Sequence, residues 1–230
     1  MSRAFKPRLE VLPAAQRRIW PELKGLAAVG FVLYGGTAIA LRLGHRFSID
    51  FDFLTDRALD RRALQKIAPA FGRATFLQEM SDTVTALVPI GKQRVKISLF
   101  AGLRIGRVGR PDWTDDGVLQ VAAINDLMAT KLKVLLQRVE AKDYLDIAAM
   151  LEHGADLAIG LANARALYGR AFQPTECLKA LIYFKEGDLR AVPRATRSRL
   201  IAAVNAVRDL PKARRLSRSL SIPASNRPRG

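Results

Sequence analysis

The sequence predicts an α+β chain in which a mixed-sheet first half is followed by a helical second half. Three observations carry this. Short apolar or alternating runs bounded by Gly, Asp and Lys, the pattern of strands, all fall before residue 122. From Asn125 onward the apolar residues recur at helical spacing. The composition, 49% apolar and 26% charged over 230 residues, is that of a folded chain long enough to bury a core without cross-links. The expected organisation is a sheet domain with an N-terminal helix over 1–122, a helical domain over 123–210, and a basic, disordered tail over 211–230.

Along the chain, Arg8 to Leu26 reads as a surface helix disturbed by Pro13 and Pro21. Val29 to Tyr34 is a short apolar run ending in Gly35-Gly36, a buried strand, and Thr37 to Leu43 a helix. Phe47 to Leu54 alternates Phe47, Ile49, Phe51 and Phe53 with Ser48, Asp50 and Asp52, the period of a strand with its polar residues on one face. Asp60 to Phe71 reads as helix. Thr83 to Ile90 and Arg94 to Phe100 read as strands joined by a turn at Gly91-Lys92, and 101–123 as loop with short strands. Asn125 is placed to cap a helix over Asp126 to Arg138, and Gly154 to end one over Lys142 to Glu152. Three further helices are expected at Asp156 to Tyr168, Thr175 to Phe184 and Arg194 to Leu210. After Pro211 the Arg, Ser and Pro content predicts disorder.

Charge adds a partner class. Lys and Arg number 38 against 21 Asp and Glu, a net +17. The last 41 residues hold 11 basic residues and one acid, Asp209, so more than half of the excess sits there. That suits a polyanion such as RNA. A single cysteine, Cys177, excludes a disulfide framework, and it reads as a buried structural thiol. Two histidines make a His-rich metal site untenable; His153 reads as a helix C-terminal residue, and His45 equally as a helix-end residue or a site residue. Met1 to Lys6 lacks a signal-peptide core. The 17 uncharged residues from Gly25 to Leu41 read as strand, turn and helix, not a membrane span, because Gly30, Gly35 and Gly36 interrupt them. A cytoplasmic location is expected.

The chemistry concentrates between Gly35 and Phe53. Asp50 and Asp52, two apart on a strand, project from one face. Such like charges repel unless a cation lies between them, and hard divalent ions, Mg²⁺ or Mn²⁺, favour carboxylate oxygens. Gly35-Gly36-Thr37 opens a helix straight after a strand, where free N–H groups and the helix dipole favour phosphate. Arg46 could neutralise a triphosphate, and Ser48 shares the face of Asp50 and Asp52.

Gly35-Gly36-Thr37-x12-Asp50-x-Asp52 resembles the signature of the polymerase-β-like nucleotidyltransferases, and the string GGTAIALRLGHRFSIDFDF resembles the first motif of the AbiEii/AbiGii toxin family within that superfamily. The similarity resumes at Asn125 to Leu132 and at Ala141 to Asp146. The resemblance implies a polymerase-β-like nucleotidyltransferase core, transfer of a nucleoside monophosphate from an NTP to an acceptor hydroxyl, and the setting of type IV toxin–antitoxin and abortive-infection systems, with a cognate antitoxin. For some members it implies the 3′ end of tRNA as acceptor. AMP transfer to a protein hydroxyl, or a catalytically weak RNA- or partner-binding protein, are the alternatives.

A second constellation lies in the helical half. Lys131 sits at the margin of the apolar stripe Met128, Leu132, Leu135, Leu136 and Val139, where an ammonium needs an anion, whereas Lys133 faces water. Asp143 and Asp146 share a face of the next helix. With the resemblance, Lys131 and Asp143 become catalytic candidates beside Asp50 and Asp52, Lys131 binding phosphate and Asp143 orienting or deprotonating the acceptor. One departure stands out: the superfamily's usual third carboxylate, on a later strand, is replaced by Ser98.

Overall fold

The computed structural model describes residues 4–60, 64, 66–223 and 225. The chain divides into two units, one of residues 1–106, 110–123 and 217–230, the other of 107–109 and 124–216.

The first unit is built on β1 (Ala4–Phe5), α1 (Ala14–Ile19), α2 (Lys24–Ala28), β2 (Val32–Tyr34), α3 (Gly35–Leu43), β3 (Asp50–Leu54), β4 (Thr75–Glu79), β5 (Thr83–Ile90), β6 (Gln93–Phe100), β7 (Asp112–Thr114) and β8 (Gln120–Val121). The strands form one mixed sheet in the order β1-β7-β8-β2-β3-β6-β5-β4. At its centre β3 runs antiparallel to β2 and parallel to β6, which pairs with β5 in a hairpin turned at Gly91.

Register sorts the two faces of the sheet. Phe51 lies beside Ile97, and Ile97 beside Ala86; Phe53 lies beside Leu99, and Leu99 beside Val84. All six are buried, with Phe51 and Phe53 stacked and Trp20 tilted against Phe51 at 6.3 Å. Because side chains alternate, the neighbours of these six fall on the opposite face, where Asp50 lies beside Lys96 and Asp52 beside Ser98. The apolar face thus fixes the register that presents the acids.

Several expectations change in this unit. The single surface helix over Arg8 to Leu26 is broken into α1, α2 and short 3₁₀ turns at Leu9–Val11 and Trp20–Leu23. Pro13 and Pro21 each open a turn, where their missing N–H costs nothing. Nor does this segment lie on the surface, since Leu12, Ile19, Trp20, Leu23 and Leu26 are all buried. The strand expected from Phe47 begins only at Asp50, leaving Phe47 and Ile49 exposed. Of the helix expected over Asp60 to Phe71, Arg61, Arg62, Ala63 and Gln65 lie outside the described residues, and Pro69–Arg73 is a 3₁₀ turn. The edge strands β1 and β4 were not expected.

The second unit holds α4 (Ile124–Leu135), α5 (Ala141–Glu152), α6 (Leu157–Tyr168), α7 (Pro174–Leu181) and α8 (Arg194–Ala206). A Cβ at Gly160 would stand 2.5 Å from Met128 Cγ, so glycine permits α6 to approach α4 closely. Asp156 caps α6 by accepting from Ile159 N at 2.8 Å. Asn125 lies inside α4 instead of capping it. The next residue, Asp126, accepts the N–H groups of Val108 and Gly109 at 2.8 and 2.7 Å and so binds 107–109 into this unit. Cys177 is buried, as a structural thiol should be, and burial pushes its pKa up to about 12.

The expected disordered tail is corrected over its described part. Leu220, Ser221 and Ile222 are buried in the first unit. Asp56 Oδ1 accepts from Leu220 N at 2.8 Å and Ser219 Oγ at 3.2 Å, and the Gln120 amide bonds both the N–H and the carbonyl of Ile222. Two apolar side chains and matched backbone partners outweigh the polar composition around them. Among the described residues no helix is long and apolar enough to cross a membrane.

Candidate functional site

The sheet unit joins the glycine turn to the acidic strand. Gly35 has φ +72°, a left-handed value that suits glycine, and it turns the chain from β2 directly into α3. Tyr34, just before it, lies opposite Asp52 across the β2–β3 pair. A Cβ on residue 35 would stand 2.6 Å from Asp52 Oδ2, so conformation and space both call for glycine. The carboxylate of Asp52 is thereby held against the start of α3, where the first-turn N–H groups have no partner within the helix.

Thr37 and Ser48 tie the same elements from inside. The buried Thr37 hydroxyl donates to the Asp50 carbonyl and lies 2.7 Å from Ser48 Oγ. Both hydroxyls were expected at the phosphate; they instead bond each other and fix the entry to β3. Gly36 remains in the open first turn of α3, half-buried. The Arg46 guanidinium donates to the Phe47 carbonyl at 2.9 Å. His45 follows Gly44, whose N–H bonds to Ala40 O at the helix end.

Asp50 and Asp52 are half-buried on the polar face, and among the described residues the Asp50 carboxylate forms no ion pair. Lys96, exposed and in register beside Asp50, is a cation the sequence reading did not single out. Period two in β6 was the available signal, since it puts Lys96 on the face of Ser98. Ser98 is buried beside Asp52 and supplies a neutral oxygen where a third acid was in question. Among the described residues no group of three or more His, Cys, Asp or Glu is placed to hold a metal. Two half-buried carboxylates on one strand face still suit a hard divalent ion that keeps several of its waters, as Mg²⁺ does.

The helical unit holds the second cluster. Lys131 Nζ lies 2.6 Å from Asp143 Oδ1 and 2.7 Å from Asp146 Oδ2. Arg138 reaches both oxygens of Asp143, at 2.9 and 3.1 Å. Lys131, Asp143 and Asp146 are all buried. Burial pushes the Asp143 carboxyl up, but the Arg138 hydrogen bond and the Lys131 charge outweigh it and hold the group below the usual carboxylate range. A carboxylate so engaged is a weak proton acceptor. The geometry suits Asp143 to anchoring Lys131, in place of the expected deprotonation of an acceptor. Among the described residues, two of the three ammonium donors of Lys131 are engaged. Arg138 was missed in the sequence; its only signal was a position five residues before Asp143.

Residues 23–217 match the family described as nucleotidyl transferase AbiEii toxin, type IV toxin–antitoxin system. The uncharacterized protein aq_aa25 of Aquifex aeolicus (strain VF5) is 30% identical over 159 residues, 68% of this chain and 74% of that protein. MenT4, a nucleotidyltransferase toxin of Mycobacterium tuberculosis H37Rv, shares the fold with a TM-score of 0.55 at 17% identity, over 84% of this chain and 82% of its own. The chain belongs to the AbiEii nucleotidyltransferase toxin family.

Proposed function

We propose that this toxin-family protein transfers a nucleoside monophosphate from an NTP to the 3′-terminal hydroxyl of tRNA, with Mg²⁺ or Mn²⁺ bound by Asp50 and Asp52. The observation that supports the reading is the close approach of Asp52 to Gly35, which brings the glycine turn and the acidic strand together. A bound divalent ion would supply positive charge at the α-phosphate, where charge builds in the transition state.

The chain's own groups do the rest. The first-turn N–H groups of α3, at Gly36 and Thr37, receive the terminal phosphates, helped by the helix dipole. Lys96, exposed and in register beside Asp50, offers a cation that would offset charge on the departing pyrophosphate. Thr37 and Ser48 hold the start of β3 so that both carboxylates keep their aim. Within the helical unit, Asp143 and Asp146 keep the Lys131 ammonium in place. The acceptor oxygen bonds to the α-phosphorus as the bond to the pyrophosphate oxygen breaks, and the hydroxyl proton passes to water. Positioning and electrostatics then supply most of the acceleration.

Ser98 beside Asp52 favours a second reading, a nucleotidyltransferase-like fold that binds RNA or a cognate antitoxin without chemistry. Incubation with each α-labelled NTP, Mg²⁺ and total RNA separates the readings on a gel. Label in tRNA is expected. Label in protein instead would point to AMP transfer, and label in neither to the binding protein.

A further inference from the structure

Most arginines that shape the helical unit have structural partners. Arg197 donates to the carbonyls of Val192, Leu189 and Arg190 and lies over the Phe184 ring; Arg199 pairs with Glu152, and Arg138 with Asp143. The segment after α8 is different. Residues 207–216 contain Arg208, Lys212, Arg214 and Arg215 against one acid, Asp209. All four cations are exposed, and none forms an ion pair or hydrogen bond through its side chain among the described residues.

Nor is the segment a loose end. It leaves α8 at Ala206, Pro211 restricts its backbone, and Leu216 N donates to Arg107 O at 2.8 Å. Arg107 in turn belongs to the short piece 107–109 that Asp126 holds to α4. The chain is therefore fastened within one unit on both sides of its cations, which lowers the entropy lost when a ligand orders them. Like charges crowded without counterions cost stability, and a polyanion relieves that cost. Arginine forks match phosphate oxygens in pairs of hydrogen bonds.

We infer that residues 208–215 form a basic strap that binds the phosphate backbone of RNA, independent of base sequence. The inference rests on the proposed RNA acceptor: chemistry at a 3′ end leaves the rest of the RNA to be held elsewhere. Each strap cation that neutralises a phosphate releases counterions and steepens the salt dependence of binding.

The test measures fluorescence-anisotropy binding of the full chain to a labelled tRNA across a salt series. Wild type is compared with R208A/K212A/R214A/R215A and with K6A/K24A/K92A/K185A, which removes four exposed lysines elsewhere. The strap variant should lower the slope of log K against log salt by about 3, since each phosphate contact contributes about 0.7–0.9. The control should change it by less than about 1. A tRNA of different sequence should give the same slopes. Equal loss in both variants, or none in the strap variant, overturns the strap, as does a wild type that binds only an acidic protein. Label transfer from NTP is scored on the same preparations. Normal strap-dependent binding with no transfer upholds the strap and rejects the proposed reaction; transfer with strap-independent binding does the reverse.

Discussion

The two acidic clusters of this molecule handle charge in opposite ways. On the sheet, Asp50 and Asp52 share one face, half-exposed, with no ion pair to Asp50 among the described residues. In the helical unit, Asp143 and Asp146 are buried around the ammonium of Lys131, with Arg138 closing the outer side. A buried, neutralised cluster holds structure, because removing one member leaves the others uncompensated away from water. Like charges on one strand face contribute nothing comparable to folding, and on the proposed function their worth lies in the cation they would attract.

The sharpest way to break this contrast is Asp143→Ala. Lys131 and Arg138 would lose their shared partner, and urea unfolding should show a loss of about 3–5 kcal/mol. A loss under 1 kcal/mol would mean the cluster is not structural. The Asp143 carboxyl is held low, so its contribution is present above the unfolded value near 3.9 and fades as pH falls through the lower folded value.

Asp126 gives the opposite sign. Burial raises its carboxyl from 3.8 to about 6, despite the N–H groups of Val108 and Gly109 and the charge of Arg107. A raised acid stabilises the fold fully below its unfolded value and loses that contribution as pH rises through about 6. The gap is worth ~3 kcal/mol. Stability of wild type relative to Asp126→Asn should therefore fall between pH 4 and pH 7; a rise over that range would contradict the assignment.

Gly35→Ala should cost ~1–2 kcal/mol through its left-handed backbone, and more activity than stability, because the new Cβ displaces Asp52 Oδ2. Gly154→Ala is the control, with φ +89° and nothing within 4 Å of a Cβ. Equal activity in the two variants would separate the glycine turn from the site. The smallest effect is expected for Lys96→Ala, about a tenfold loss of transfer with the melting temperature within 2 °C, since its side chain is exposed.

The acidic strand was legible because alternation is a local signal, and the Phe51/Phe53 face that sets it is buried as the pattern requires. The glycine turn was legible too, although its contact with Asp52 depends on β2 pairing with β3. Hidden features were those made by distant partners. Leu220 meets Asp56 across 164 positions, and no local composition could reveal that. Thr37 looked like a phosphate ligand because its motif is local, whereas its bond to Ser48 depends on how α3 returns to β3. Lys131 and Asp143 were readable as a face and an edge; that they close on each other, with Arg138, required packing.

On the proposed function, the acidic pair of the sheet does the chemistry while the closed cluster holds the fold. Asp50→Asn tests this division most directly, measured as Mg²⁺-dependent transfer of label from an α-labelled NTP, with a thermal melt on the same sample. The expected result is a transfer rate lowered at least ~100-fold with the melt unchanged within about 2 °C. Transfer within twofold of wild type, from a protein that melts normally, would contradict it.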